Sequence, residues 1–264
     1  MSSGQWAKLG VTSKGIYKID FQTIREAGFD PASIVTDNIQ LFGQGGGMLP
    51  QSNQIARPSD LQENALYRVG LEDDSFDATD YILFFSEGPN LEYINNEGHL
   101  VYQKNLYADT AYYLLTVGTQ QGKSVDTIAN KGDNHPVIDS YIGYAYHELD
   151  LKNILSSGRE WYGELMVSSS PLRISFPNIP PLTSGSTITI ISSVLNQSQE
   201  KASFNFSLND SNIGAIDASG VGPGTYDDKG VAVIDTFTIS QNEINQQAVF
   251  NFEVSYDGAG SGRF

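Results

Sequence analysis

The chain has 264 residues, no cysteine, and 15 Lys plus Arg against 31 Asp plus Glu, for a formal charge of −16. Without thiols it holds no disulfide, thiolate metal site or cysteine nucleophile, and its negative field disfavours nucleic acid and anionic lipid as partners. The length accommodates two domains, each with a full hydrophobic core.

Met1-Ser2-Ser3-Gly4-Gln5-Trp6 has neither a basic segment nor an apolar core, so no signal peptide is read there. An exported protein trimmed of its signal would begin in the same way. No apolar run approaches the ~20 residues of a membrane-spanning helix.

In Gly15-Ile16-Tyr17-Lys18-Ile19-Asp20-Phe21, alternation places Tyr17, Ile19 and Phe21 on one strand face. Asp20 is an N-cap residue type, and Phe21, Ile24 and Ala27 then recur at helical spacing until Gly28 stops the helix. Asp30-Pro31 adds a turn. Ile39 to Phe42 starts the next strand, and Gly43, Gly45, Gly46 and Gly47 follow it.

That glycine run invites a phosphate-loop reading, which its spacing fails. The dinucleotide fingerprint requires a glycine where Met48 stands, no Gly-Lys-Ser/Thr occurs, and Pro50 opposes a following helix. The run reads as the exit of a strand.

Ala65, Tyr67, Val69 and Leu71 alternate with Leu66, Arg68 and Gly70, predicting a half-buried strand. The acidic run Asp73 to Asp80 lacks the order of a calcium loop and reads as a solvated turn. Asp80 to Phe85 and Ala111 to Leu115 are apolar on both faces, predicting strands covered on both sides. Between about 119 and 137, Gln120 to Ser124, Asn130, Gly132, Asp133, Asn134 and Pro136 mark a domain seam, in which Val125 and Ile128 could form a short edge strand.

From residue 160 the alternation is cleaner. Phe204, Phe206 and Leu208 face one way, and Phe250, Phe252, Val254 and Tyr256 repeat the pattern. Further strands are read at Ile174 to Phe176, Ile188 to Val194 and Val231 to Ile239, with turns at Pro177-Asn178-Ile179-Pro180-Pro181 and at Gly220 to Gly224. Such strands with turn-rich links predict an antiparallel sandwich. Asp257 to Phe264 reads as a hairpin loop and two residues of a strand that never arrives.

Residues able to carry chemistry are sparse. His99, His135 and His147 lack a second ligand at metal spacing, and no Gly-x-Ser-x-Gly elbow is present. The densest segment is Ser157-Gly158-Arg159-Glu160-Trp161-Tyr162-Gly163-Glu164. Arg159, Trp161 and Tyr162 make a candidate patch for stacking on sugars or docking protein. On the other reading, Trp161 plugs the joint between the two domains and Arg159 pairs with a local acid.

Five stretches, "KGIYKIDFQTIREAGFDP", "IQLFGQGGGMLPQ", "DYILFFSEGP", "KNLYADTAYYLLT" and "SGREWYGE", occur in order across residues 14 to 164. In them the chain resembles the N-terminal, non-catalytic region of gingipain-like (C25) cysteine peptidases, most closely the PorU-type sortases of the type IX secretion system. The resemblance implies a Bacteroidetes-type exported protein at the outer membrane surface, whose parent removes the sorting signal of secreted cargo. The Cys and His of that family lie downstream of such a region, so no catalytic residue is assigned here.

The expectations are a mainly β chain with two β-rich domains. One, at 5–125, carries a single short helix. The other, at 137–264, is an antiparallel, jelly-roll-like β-sandwich, read as truncated at its C-terminal end. No cofactor and no metal is expected. The partners implied are the downstream peptidase domain of the same polypeptide, with secreted cargo or outer-membrane secretion proteins. The alternative is a carbohydrate-binding or adhesin module of a cell-surface protein.

Overall fold

The structure is a computed structural model that describes residues 4–96, 98–128, 141–154, 156, 160–177, 179, 181–244 and 249–264. The chain divides into two compact units, Met1–Val137 and Ile138–Phe264. Strands dominate both. Positions 129–137 of the expected seam, and Asn178 and Pro180 of the expected proline turn, lie outside the described residues.

The first unit contains β1 (Trp6–Val11), β2 (Gly15–Asp20), α1 (Phe21–Glu26), β3 (Ile39–Gly43), β4 (Gln62–Asn64), β5 (Tyr67–Val69), β6 (Tyr81–Ser86), β7 (Leu91–Ile94), β8 (Leu100–Gln103) and β9 (Ala111–Val117). They form sheets β1-β9-β3-β4 and β2-β6-β5 and a ribbon β7-β8, every ladder antiparallel. One core draws on both larger sheets and the helix, through Ile19, Ile24, Ile39, Leu41, Ile82, Tyr113 and Leu115.

The helix forms where the sequence places it. Asp20 accepts hydrogen bonds from Thr23 N at 2.9 Å and Thr23 Oγ1 at 2.8 Å, satisfying a first-turn donor. Gly28, at φ +87°, ends it, and Phe29 N returns to Ile24 O at 3.1 Å.

The glycine run is a strand exit, and no helix follows it. Gly45, Gly46 and Gly47 all have positive φ. The loop is pinned by Gly47 N donating to Gly88 O at 2.8 Å and Glu87 N donating to Gly45 O at 3.1 Å. A Cβ on Gly43 would stand 2.6 Å from the Tyr113 ring, so the strand needs glycine at that point.

Three expectations for this unit are corrected. The face expected at Ala65, Tyr67 and Leu71 breaks, because Leu66 is the buried residue while Ala65 and Tyr67 are exposed. Leu66 exchanges backbone bonds with Lys123 O and Val125 N, both at 3.0 Å, and Arg68 reaches Ile39 O at 2.9 Å and Ser124 Oγ at 2.8 Å. This tertiary bridge sets the register. Second, β6 and β9 are central strands, yet Phe85 is 51% and Tyr112 53% exposed, so neither is covered on both sides. Lys8 Nζ lies 3.5 Å from the Tyr112 ring centre, giving that face a charged cover in place of a packed layer. Third, Ser124 makes a single bridge to Leu66, while Val125 and Ile128 are exposed and form no strand.

The second unit contains β10 (Lys152–Asn153), β11 (Trp161–Tyr162), β12 (Leu165–Met166), β13 (Leu172–Pro177), β14 (Thr187–Asn196), β15 (Ala202–Leu208), β16 (Ser211–Ala218), β17 (Val231–Ser240), β18 (Val249–Asp257) and β19 (Gly262–Arg263). Beside a β10-β11 ribbon stand two antiparallel four-stranded sheets, β12-β19-β14-β17 and β13-β18-β15-β16. Counted from β12, the orders are first-eighth-third-sixth and second-seventh-fourth-fifth, a jelly-roll-like wrapping.

The inward rows come from both sheets and include Met166, Val194, Phe204, Phe206, Phe252 and Val254. Burying each such side chain contributes roughly 1.5–3 kcal/mol. The β15-β16 turn follows from Asn209-Asp210, both at positive φ, which suits a two-residue hairpin with right-handed twist.

At the far end, β19 pairs on both flanks, Arg263 with Leu165 and with Leu195, and Gly262 with Met166 and with Asn196. These two residues, read from the sequence as the start of a strand, are paired on both sides as a short eighth strand. Phe264 beyond them packs against Phe206 and Phe252, with ring centres 6.3 and 6.0 Å away.

Candidate functional site

Of the expected binding residues, Arg159 lies outside the described residues, as do Ser157 and Gly158. Trp161 and Tyr162 form β11, paired with Asn153 and Lys152. Trp161 is 43% exposed. Tyr162 is half-buried; burial, together with the Glu160 carboxylate, pushes its phenol above the ordinary range. Consecutive strand residues project to opposite sides, so the two rings do not share one face. An aromatic platform here rests on Trp161.

The surroundings of β11 tie it into its unit. Leu151 N donates to Tyr162 O at 3.0 Å and Asn153 Nδ2 to Glu160 O at 2.9 Å. His147 Nε2 meets Glu164 Oε1 at 2.7 Å, and its ring stacks at 6.5 Å on Phe264. His147 thus has a structural partner and not a metal-like set. His99 donates its backbone N–H to Asn95 Oδ1 at 2.9 Å, and His135 lies outside the described residues.

Sequence reasoning missed the exposed apolar stretch just upstream, where Tyr141, Ile142, Leu149 and Leu151 remain open to solvent. It also missed an exposed row on the β2-β6-β5 sheet, in which Ile16 pairs across to Phe85 and Tyr67 lies on the neighbouring strand. The signal existed, since Ile16 and Phe85 are the odd apolar residues opposite the buried faces of their strands.

The acidic run is a self-bonded turn. Asp73 accepts from Ser75 N at 3.1 Å and Ser75 Oγ at 2.8 Å, and the buried Asp80 accepts from Asp77 N at 2.6 Å. Among the described residues no three His, Asp or Glu side chains are grouped to hold a metal. Two open clefts of ≈ 410 and ≈ 400 Å³ are lined by Gly220, Tyr226 and Asp227 in one and by Lys201, Asp217 and Asp257 in the other. In the second, Lys201 Nζ already pairs with Asp217 Oδ2 at 2.7 Å. The Ser203 hydroxyl of the same cleft also hydrogen-bonds that carboxylate, which the two partners together hold below the usual range.

No family model matches the chain, and no curated protein matches it. Among solved structures it is similar to the crystal structure of dimeric latent PorU from Porphyromonas gingivalis, with a TM-score of 0.76 and 21% identity over 99% of this chain and 24% of that one. At that identity the likeness is one of fold, and there the expected resemblance holds. The chain spans about a quarter of the length of the PorU chain it matches.

Proposed function

We propose that this chain is a non-catalytic accessory region of a PorU-like, C25-type peptidase or sortase. It supports or positions a downstream peptidase domain of the same polypeptide at the cell surface, and docks secreted cargo or outer-membrane partners. The observation that carries this reading is the fold likeness along 99% of the chain to only 24% of a much longer one. The absence of any cysteine agrees with it, since a thiolate nucleophile would have to come from elsewhere. No helix among the described residues is long and apolar enough to cross a membrane. The test compares the 264-residue protein with a polypeptide extended through the downstream domain, using a peptide bearing a C-terminal sorting signal. The extended protein is expected to cleave it and the short one to leave it intact; equal cleavage by both overturns the reading.

A second reading, a carbohydrate-binding or adhesin module, is favoured by one observation, the exposed Trp161 indole beside a jelly-roll-like sandwich. It predicts glycan-array binding that disappears in Trp161→Ala at unchanged melting temperature. An array without binding for the unmodified protein removes it.

A further inference from the structure

The β12-β19-β14-β17 sheet is uneven in a way that points to a missing strand. Along one edge, β14 pairs with β17 over its whole length, from Thr187 opposite Ser240 to Asn196 opposite Val231. Along the other edge only Leu195 and Asn196 have ladder partners among the described residues, both in β19. Along Thr187 to Val194 the backbone groups that point away from β17 therefore form an edge with no ladder among the described residues, a cost that a sheet normally removes by pairing or covering.

The flank opposite is also open. The β12-β19 ladder runs on past its last paired residues, with Gly163 N donating to Phe264 O at 3.0 Å and Phe264 N to Glu164 O at 3.2 Å. Beyond Glu164 the same edge continues into Gly163 and β11, whose only ladder among the described residues is with β10. Two buried polar atoms at this point, Glu164 Oε2 and Arg263 Nε, have no hydrogen-bond partner among the described residues.

Burial follows the same gradient. On the inward row of β14, Val194 and Ser192 are buried, while Ile190 and Ile188, farther from β19, are only half-buried. On β13, Leu172 and Phe176 are likewise half-buried on either side of the buried Ile174. Phe264 falls next to Val194 in the register and turns inward onto Phe206 and Phe252, so it is the last residue to cover that row.

We propose that this slot, between β11–β12 on one side and Thr187–Val194 on the other, is a strand-acceptor site. Its occupant is an extended strand running on from Phe264, antiparallel to β14. The existing register fixes its pattern. The second, fourth and sixth residues after Phe264 face the core beside Ser192, Ile190 and Ile188 and are apolar; the first, third and fifth face solvent and are polar. Taking the strand from the same polypeptide rests on the accessory-region reading above, while the slot itself rests on pairing and burial alone.

The test appends six residues to Phe264. One protein carries Thr-Val-Thr-Val-Thr-Val and the other the same composition in opposite phase, Val-Thr-Val-Thr-Val-Thr. The first is expected to melt about 5 °C or more above the 264-residue protein, remain monomeric, and gain amide-exchange protection at Ile188 to Ser193. The second is expected to melt within about 1 °C of the parent by the same measure. Equal behaviour of the two phases overturns the proposal. So does a concentration-dependent melting temperature with dimer elution, which would show the added strand pairing in a second copy. Neither result bears on the peptidase comparison, so the two readings fail separately.

Discussion

Asn196 shows how much of the second unit can depend on one side chain. It is fully buried at the end of β14, and its amide donates to Glu200 O at 2.9 Å and Ser219 O at 3.0 Å. Its Oδ1 accepts from Ser198 N at 3.0 Å and from the Tyr256 hydroxyl at 3.1 Å. Asn196→Ala leaves several of these groups dry and unpaired, so a loss of about 2–4 kcal/mol is expected in urea unfolding. Asn196→Asp replaces two donors with acceptors facing carbonyls and should be no milder. In the first unit, Asp20 is held below the usual carboxylate range, first by the Thr23 backbone N–H and then by the Thr23 hydroxyl. A depressed folded value means stability that is present above the unfolded value near 4 and is lost as pH falls through the folded one. Asp20→Ala should therefore cost about 0.5–2 kcal/mol at neutral pH. The gap between the two proteins should narrow below about pH 4, measured by parallel denaturant titrations.

At the scale of elements, the glycine segment after β3 is set by space as well as by backbone angle. Gly43→Ala drives a methyl into the Tyr113 ring, and a loss of about 1–3 kcal/mol is expected as β3 and β9 are pushed apart. Tyr113→Phe tests the other side of that contact. It removes the 2.9 Å bond to the buried Ser86 hydroxyl and should cost about 1 kcal/mol in thermal unfolding. What was legible in the sequence is local. Phe204, Phe206 and Leu208 face inward because strand side chains alternate, and Asp20 caps a helix because its carboxylate reaches an N–H three residues on. The buried face of Leu66 is not legible locally, because a bond partner more than fifty positions away chooses it. The exposure of Phe85 and Tyr112 is not legible, because an apolar run carries no mark of whether a second layer covers it. Trp161 was legible as a residue of interest, but its exposure depends on a ribbon of two-residue strands too short to show in any pattern.

For the whole molecule, each unit has its own core, one built on Ile39, Leu41 and Tyr113, the other on Phe204, Phe206 and Val254. We accordingly expect residues 1–137 and 138–264, produced separately, each to give a cooperative melt and dispersed amide resonances; a fragment that stays unfolded would show that its core needs the other. The pairing of β19 with β12 has no local trace in the sequence.

That pairing also sets the order of assembly. Arg263 lies beside Leu165, from which most of the second unit's length separates it along the chain. Hairpins such as β15-β16 close over a handful of residues, but this ladder must wait for β19, which places a large loop-closure entropy late in folding. On the ribosome, the phenylalanine rows of β15 and β18 are made before the segment that joins β12 to β14, so the nascent unit must pass through an interval in which that sheet is still divided.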